Sequence, residues 1–130
     1  MNLLPPDQRH ADGLLALFDR AESDETKRTL AYLLLAFARF PNVELEPESH
    51  GYMYSLRVRE GSLWTFAFAP AQNWILAYVR PPEFDQGRIS FSDLVAVLPH
   101  SQDREDRHLT VRLHNLLEAE RFFKLVVDSR

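Results

Sequence analysis

Apolar residues recur through the first forty positions with a helical period. Leu14, Leu15 and Phe18 repeat behind a Pro5-Pro6-Asp7 start and predict a first helix running to about Ala21, although Gly13 weakens it. Ser23 and Asp24 then offer a cap. Leu30, Leu33, Leu34, Phe37 and Phe40 follow at i, i+3, i+4, i+7 and i+10 until Pro41 stops the run. The link through Glu22 and Ser23 is short enough that the two helices are expected to turn back as a hairpin. Tyr32, Leu35 and Ala36 lie off the main stripe, so the second helix is apolar almost all round. Such a helix is either deeply buried or shares its surplus with a partner.

Past Pro41 the period drops to two. Val43 and Leu45 alternate with Glu44 and Glu46, then Tyr52, Tyr54, Leu56 and Val58 alternate with Met53, Ser55, Arg57 and Arg59, which predicts strands. Glu60-Gly61 reads as a two-residue hairpin turn. That register sets Val58 opposite Leu63, Arg57 opposite Trp64 and Ser55 opposite Phe66. Trp64, Phe66 and Phe68 then share one face, opposite to Leu56 and Val58. Residues 70–73, Pro-Ala-Gln-Asn, turn the chain into a strand over residues 74–79, giving an antiparallel meander with two apolar faces.

The segment 80–87, rich in proline, breaks this pattern, with Phe84 as a cover over one end of the sheet. Ser90 and Asp93 have capping-box spacing and predict a short helix through Phe91, Leu94, Val95 and Leu98 up to Pro99. Residues 100–107 read as a solvated loop, Leu109, Val111 and Leu113 as one more strand, and Asn115 with Glu118 as the start of a last helix through Phe122, Phe123, Val126 and Val127. The expectation is a single α+β domain over residues 1–130. It has an N-terminal helical hairpin, an antiparallel meander of three to four strands, then helix-strand-helix packed on the sheet, with four helical segments available to cover two apolar faces.

Composition adds bounds. With 130 residues, 45% of them apolar and 12% aromatic, the chain is one domain's length and can build a core. It has no cysteine, which removes disulfides, thiolate metal sites and a thiol nucleophile. Residues 1–10 lack a signal-peptide pattern and no apolar run reaches membrane-spanning length, so no membrane role is expected and the cytoplasm is the expected place. The net charge of −4 argues against a dedicated duplex-DNA binder but leaves room for a local basic strip. Thirteen of the fifteen basic residues are arginine, a skew that fits a GC-rich bacterial or phage genome.

Catalytic equipment is hard to find in the pattern. His10, His50, His100, His108 and His114 contain no pair at metal-site spacing, and His108 and His114 would stand about 20 Å apart on one strand face. The four glycines are scattered, matching no phosphate loop, and no nucleophile elbow surrounds a serine. No catalytic residue, metal or cofactor is therefore assigned, and an enzyme with a dispersed site ranks third among the readings. First is a small acidic non-enzymatic protein of inhibitor, immunity or adaptor type that binds another protein. Its interface would use Tyr32 and Leu35 with acidic patches at Glu44, Glu46 and Glu48 and at Asp103, Glu105 and Asp106, and a homodimer through the second helix would serve the same surplus. Second is a single-stranded nucleic-acid module in which Trp64, Phe66 and Phe68 stack on bases and Arg57 and Arg59 meet phosphates. Its plainer alternative has Arg57 lying over Trp64 as a cation–π pair and the phenylalanines in the core.

Overall fold

The computed structural model describes residues 4–48, 54–104 and 108–130, with side chains from His10 onward. Helix α1 (Leu4–Arg20) and helix α2 (Asp24–Phe37) are followed by β1 (Val43–Glu48), β2 (Ser55–Glu60), β3 (Leu63–Pro70) and β4 (Ile75–Val79). Then come α3 (Pro81–Asp85), α4 (Phe91–Val97), β5 (Gln102–Asp103), β6 (Leu109–Leu113) and α5 (Leu116–Asp128). The strands form one antiparallel sheet in the order β1-β2-β3-β4-β6-β5. This is the α+β class expected, with helices first, a meander next and helices again.

Local chemistry explains the helix limits. The Ser23 hydroxyl accepts from the Thr26 amide at 3.1 Å and starts α2. Lys27 folds back and donates its ammonium to the carbonyls of Phe18 and Ala21 at the C-terminal end of α1, where the Phe18 carbonyl also accepts the Ala21 amide at 3.2 Å. The Ser90–Asp93 capping box forms in both directions, and Asn115 caps α5 through the Glu118 amide. Gly13 has a packing reason: α1 crosses β1 there, and a Cβ would come within 2.9 Å of the Pro47 ring. The two N-terminal helices rest on different partners, α1 on β1, β2 and β3, and α2 chiefly on α5.

Two segments expected to be irregular are ordered. Pro81–Asp85 makes one helical turn, with the prolines in the first turn where no amide hydrogen is needed. Gln102 and Asp103, inside the expected loop, pair with Thr110 and Leu109 as a short edge strand.

The β2–β3 hairpin departs from expectation in two steps. Its loop is Gly61-Ser62, with Gly61 at φ +63° and Glu60 opposite Leu63, so the turn sits one residue later. Beyond it the register shifts again, because Arg59 faces Trp64 while Val58 faces Phe66, leaving Thr65 as an extra residue in β3. Trp64 keeps the side of Arg57 and Arg59. Phe66 and Phe68 change sides and join Leu56 and Val58, since a one-residue slip exchanges the faces of a strand.

One face of the sheet carries the core. Leu56, Val58, Phe66, Phe68, Ile75, Ala77, Val79, Leu109, Val111 and Leu113 pack with Leu17, Leu30, Leu33, Phe37, Leu94, Leu98, Phe122 and Val126 from the helices in one cluster. At its centre the Phe37 ring meets Phe66 at 5.5 Å, Phe68 at 5.3 Å and Phe123 at 5.1 Å, and Phe122 meets Phe66 and Phe68 edge-on. Phe84 of α3 lies partly buried against the same cluster. The helices therefore gather on one side, and the expectation that they cover both faces is corrected. Among the described residues no helix is long and apolar enough to cross a membrane.

A buried ionic network ties the end of the described chain to this scaffold. Glu83 on α3 is fully buried and accepts from Arg88 at 2.5 Å and from Arg130 at 2.8 Å. Arg130 also pairs with Glu60, which in turn accepts from the Thr65 hydroxyl at 3.1 Å. Burial alone would lower the Arg130 pKa, but the hydrogen bonds it donates to Glu60 and Glu83 and their negative charges outweigh it and raise it.

Candidate functional site

The uncovered face of the sheet collects the residues that alternate out of the core. In register across it stand Glu44, Glu46 and Glu48 on β1, Arg57 and Arg59 on β2, Trp64 and Ala67 on β3, Leu76 and Tyr78 on β4, and Thr110 and Arg112 on β6. None of these side chains belongs to the core cluster.

Trp64 is the centre of this face. Its indole N–H donates to the Phe66 carbonyl at 2.9 Å, which pins the ring to its own strand. The Arg80 guanidinium lies 3.6 Å from the ring centroid and the Arg57 guanidinium 4.4 Å. The Thr65 bulge helps position Arg80, because the Thr65 carbonyl accepts the Arg80 amide at 3.0 Å and the Trp64 carbonyl accepts its side chain at 3.1 Å. Around them Ser55, Ala67, Tyr78 and His108 complete a depression of about 280 Å³.

The electrostatics there are uneven. Arg59 pairs with Glu46 at 3.0 Å and Arg57 with Glu48 at 3.7 Å, so the β1 edge neutralises part of the charge. Arg80 forms no ion pair among the described residues. Burial lowers its pKa first, and repulsion from Arg57 and then Arg59 lowers it further. The Arg57 Nε is buried with no hydrogen-bond partner among the described residues. Three guanidinium groups thus press on one another beside an aromatic plate, and an anion placed there would relieve that repulsion.

The residues expected for a protein interface do not come together. Tyr32 packs edge-on against Phe123 at 6.2 Å, and burial, then the Glu120 carboxylate, raises its phenol above the usual pKa. Leu35 is 66% exposed on the helix side of the molecule. Glu44, Glu46 and Glu48 lie on β1 and Asp103 on β5, at opposite edges and about 24 Å apart at the usual strand spacing. Glu46 and Glu48 are already engaged by arginines. Glu105 and Asp106 lie outside the described residues.

Of the residues expected to stack and bind phosphate, Arg57, Arg59 and Trp64 are brought together on the open face. Phe66 and Phe68 are removed from it: both are fully buried, because the Thr65 bulge turns them toward the helices. Sequence reasoning missed Arg80, Tyr78 and His108 as companions of Trp64. The period-two pattern of β4 held the signal, since Tyr78 alternates with the core residues Ala77 and Val79. Arg80 could not have been placed without the bulge.

The fold and this face together define an α+β protein whose sheet is covered by helices on one side and basic and aromatic on the other. Compared with known proteins, the chain matches no family model, no curated protein and no solved structure.

Proposed function

We propose that the open sheet face binds single-stranded nucleic acid, with Arg57, Arg80 and Trp64 as its centre. The observation that carries this reading is Arg80, a guanidinium laid on an indole ring beside two further arginines and without a carboxylate partner among the described residues. Phosphate oxygens would take the guanidinium N–H donors, while the flat face of a guanidinium stacked on Trp64 offers a surface on which a base can lie. Trp64 then acts as a pedestal that holds charged planes at a fixed height. The net charge of −4 opposes indiscriminate attraction to polyanions, so binding would depend on this local cluster and be strongly salt-sensitive.

The rival reading, a protein partner on α2, has the exposure of Leu35 in its favour. Leu35 is the one exposed large apolar residue of α2, and such a leucine is ordinary on a protein surface, which is why the arginine cluster outweighs it.

The test is a tryptophan-fluorescence titration with a mixed-sequence single-stranded oligonucleotide, at low and at moderate salt. The expected outcome is saturable, salt-sensitive quenching. Trp64→Ala should weaken binding by about 1–3 kcal/mol, the range for loss of one stacked aromatic. Arg80→Ala should lower the dependence of log affinity on log salt by about one. A folded protein whose affinity is indifferent to both changes would remove this face as the binding site.

A further inference from the structure

On the same open face, toward the β5 edge, lies a larger hollow of about 620 Å³. Its walls present His100, Arg104, Arg112 and His114 around a floor that includes Leu76 and Thr110, and no carboxylate is among the described residues that line it. The alternation of β5 explains the sign. Gln102, opposite Thr110, goes to the open face, while Asp103, opposite the core residue Leu109, goes to the other.

The two arginines of this hollow are held in place by neighbours rather than neutralised by a carboxylate among the described residues. Arg104 donates from Nε to the Thr110 hydroxyl at 3.1 Å, which leaves the two terminal nitrogens of the fork without a hydrogen bond among the described residues. Arg112 lies over the Trp74 ring at 4.6 Å, and the His114 ring stands 6.3 Å from the same indole. Glu118 accepts from the His114 amide at 2.7 Å and lies 3.0 Å from His114 Nδ1, so it is engaged by His114. Two arginine forks around a roomy hollow are suited to a phosphoryl group, whose oxygens take several N–H donors at once.

We infer that the hollow bounded by Arg104, Arg112 and His100 is a second phosphate-binding site, occupied by a further phosphate of the strand that crosses the Trp64 centre. The placement supports one continuous ligand. Arg57, Ala67, Tyr78 and Thr110 stand in one row across four neighbouring strands, so Arg57 of the Trp64 centre and Thr110 of the hollow are about 15 Å apart, with Tyr78, at the rim of the first depression, between them. A chain with regularly repeated phosphates meets both sites, and a compact single anion meets one. For the identity of its ligand the inference rests on the nucleic-acid reading above, but the geometry of the hollow does not.

The experiment has two arms, each on the full chain with folding checked by circular dichroism. In the first, Trp64→Phe leaves Trp74, under Arg112, as the one tryptophan, and inorganic phosphate is titrated while its emission is followed. A saturable change that disappears when Arg104→Ala is added is the expected result. In the second, a length series of single-stranded oligothymidylates is titrated into the wild-type and Arg104→Ala proteins. Affinity should be equal for a dinucleotide, too short to bridge the sites. It should fall in Arg104→Ala for the longer strands, with the salt slope reduced by about one.

Phosphate without effect on Trp74, together with equal affinities of the two proteins at every length, overturns the second site while leaving the Trp64 centre standing. A phosphate response without any oligonucleotide binding keeps the anion site, removes the shared strand and sinks the nucleic-acid reading. A response to polyglutamate in place of phosphate overturns the assignment in favour of an acidic protein.

Discussion

The two faces of the sheet are built from the same six strands of alternating side chains and end in opposite states. On one, Phe66, Phe68, Val79 and Val111 lie under helices and are buried almost completely. On the other, Trp64, Tyr78, Arg80 and Arg112 stay at least partly accessible. The open face is not simply a polar exterior. Small residues, Ser55, Ala67 and Thr110, are buried there in the shelter of larger neighbours, and the arginines lie flat on the aromatic rings. Covering by helices demands shape and apolarity, whereas an uncovered face can keep charge, because water and cation–π contacts solvate the guanidiniums. Burial thus marks the part of the sheet that carries the fold, and uncompensated charge marks the part proposed to bind a ligand.

Substitutions can separate the two roles. The largest effect is expected from Phe68→Ala, which removes a fully buried ring touching Phe37 and Phe122. A loss of about 3–5 kcal/mol in denaturant unfolding follows from the cavity and the lost contacts. Oligonucleotide affinity of the remaining folded protein should not change. If it did, the faces would be coupled and the division drawn above would fail. Glu83→Gln comes next. It leaves Arg88 and Arg130 without their buried carboxylate, and about 3 kcal/mol is expected, the lower end for a broken buried pair, because both arginine side chains keep about a fifth of their surface exposed and can reach water. Calorimetry would show the loss as a lower Tm, and an unchanged Tm would mean that the network contributes only geometry.

Much of the covered face was legible in the sequence. Helix caps at Ser23, Ser90 and Asn115 and the strand periods of residues 55–59 and 109–113 all act through neighbours a few positions away, which is the range over which sequence patterns speak, whereas α2 ends at Phe37, short of the Phe40 to which its stripe was expected to run. The open face was legible only as far as Trp64 with Arg57 and Arg59. A single extra residue, Thr65, sends the aromatics of β3 to both sides, and nothing in its composition announces a bulge. Arg80 reaches Trp64 across sixteen residues through that bulge, and the hollow near Arg104 depends on a two-residue edge strand too short to leave a period. The acidic residues of β1 show the same limit of range. Their spacing on β1 was visible, but the arginines that neutralise Glu46 and Glu48 come from the neighbouring strand.

The smallest expected effect divides the two functional readings most sharply. Glu46→Gln removes the carboxylate 3.0 Å from Arg59, a pair with more than a third of each side chain exposed, so stability should change by less than about 1 kcal/mol. Its consequence for binding has opposite signs in the two cases. If β1 offers an acidic patch to a protein partner, losing Glu46 weakens the complex. If the open face binds phosphates, Glu46 screens Arg59, and its loss adds one unit of positive charge beside Arg57 and Arg80. Single-stranded oligonucleotides should then bind more tightly at low salt, with the gain fading as the salt concentration rises and the Debye length falls toward ~8 Å. Tighter, salt-dependent binding on removal of an acid is something a protein interface through Glu46 does not predict.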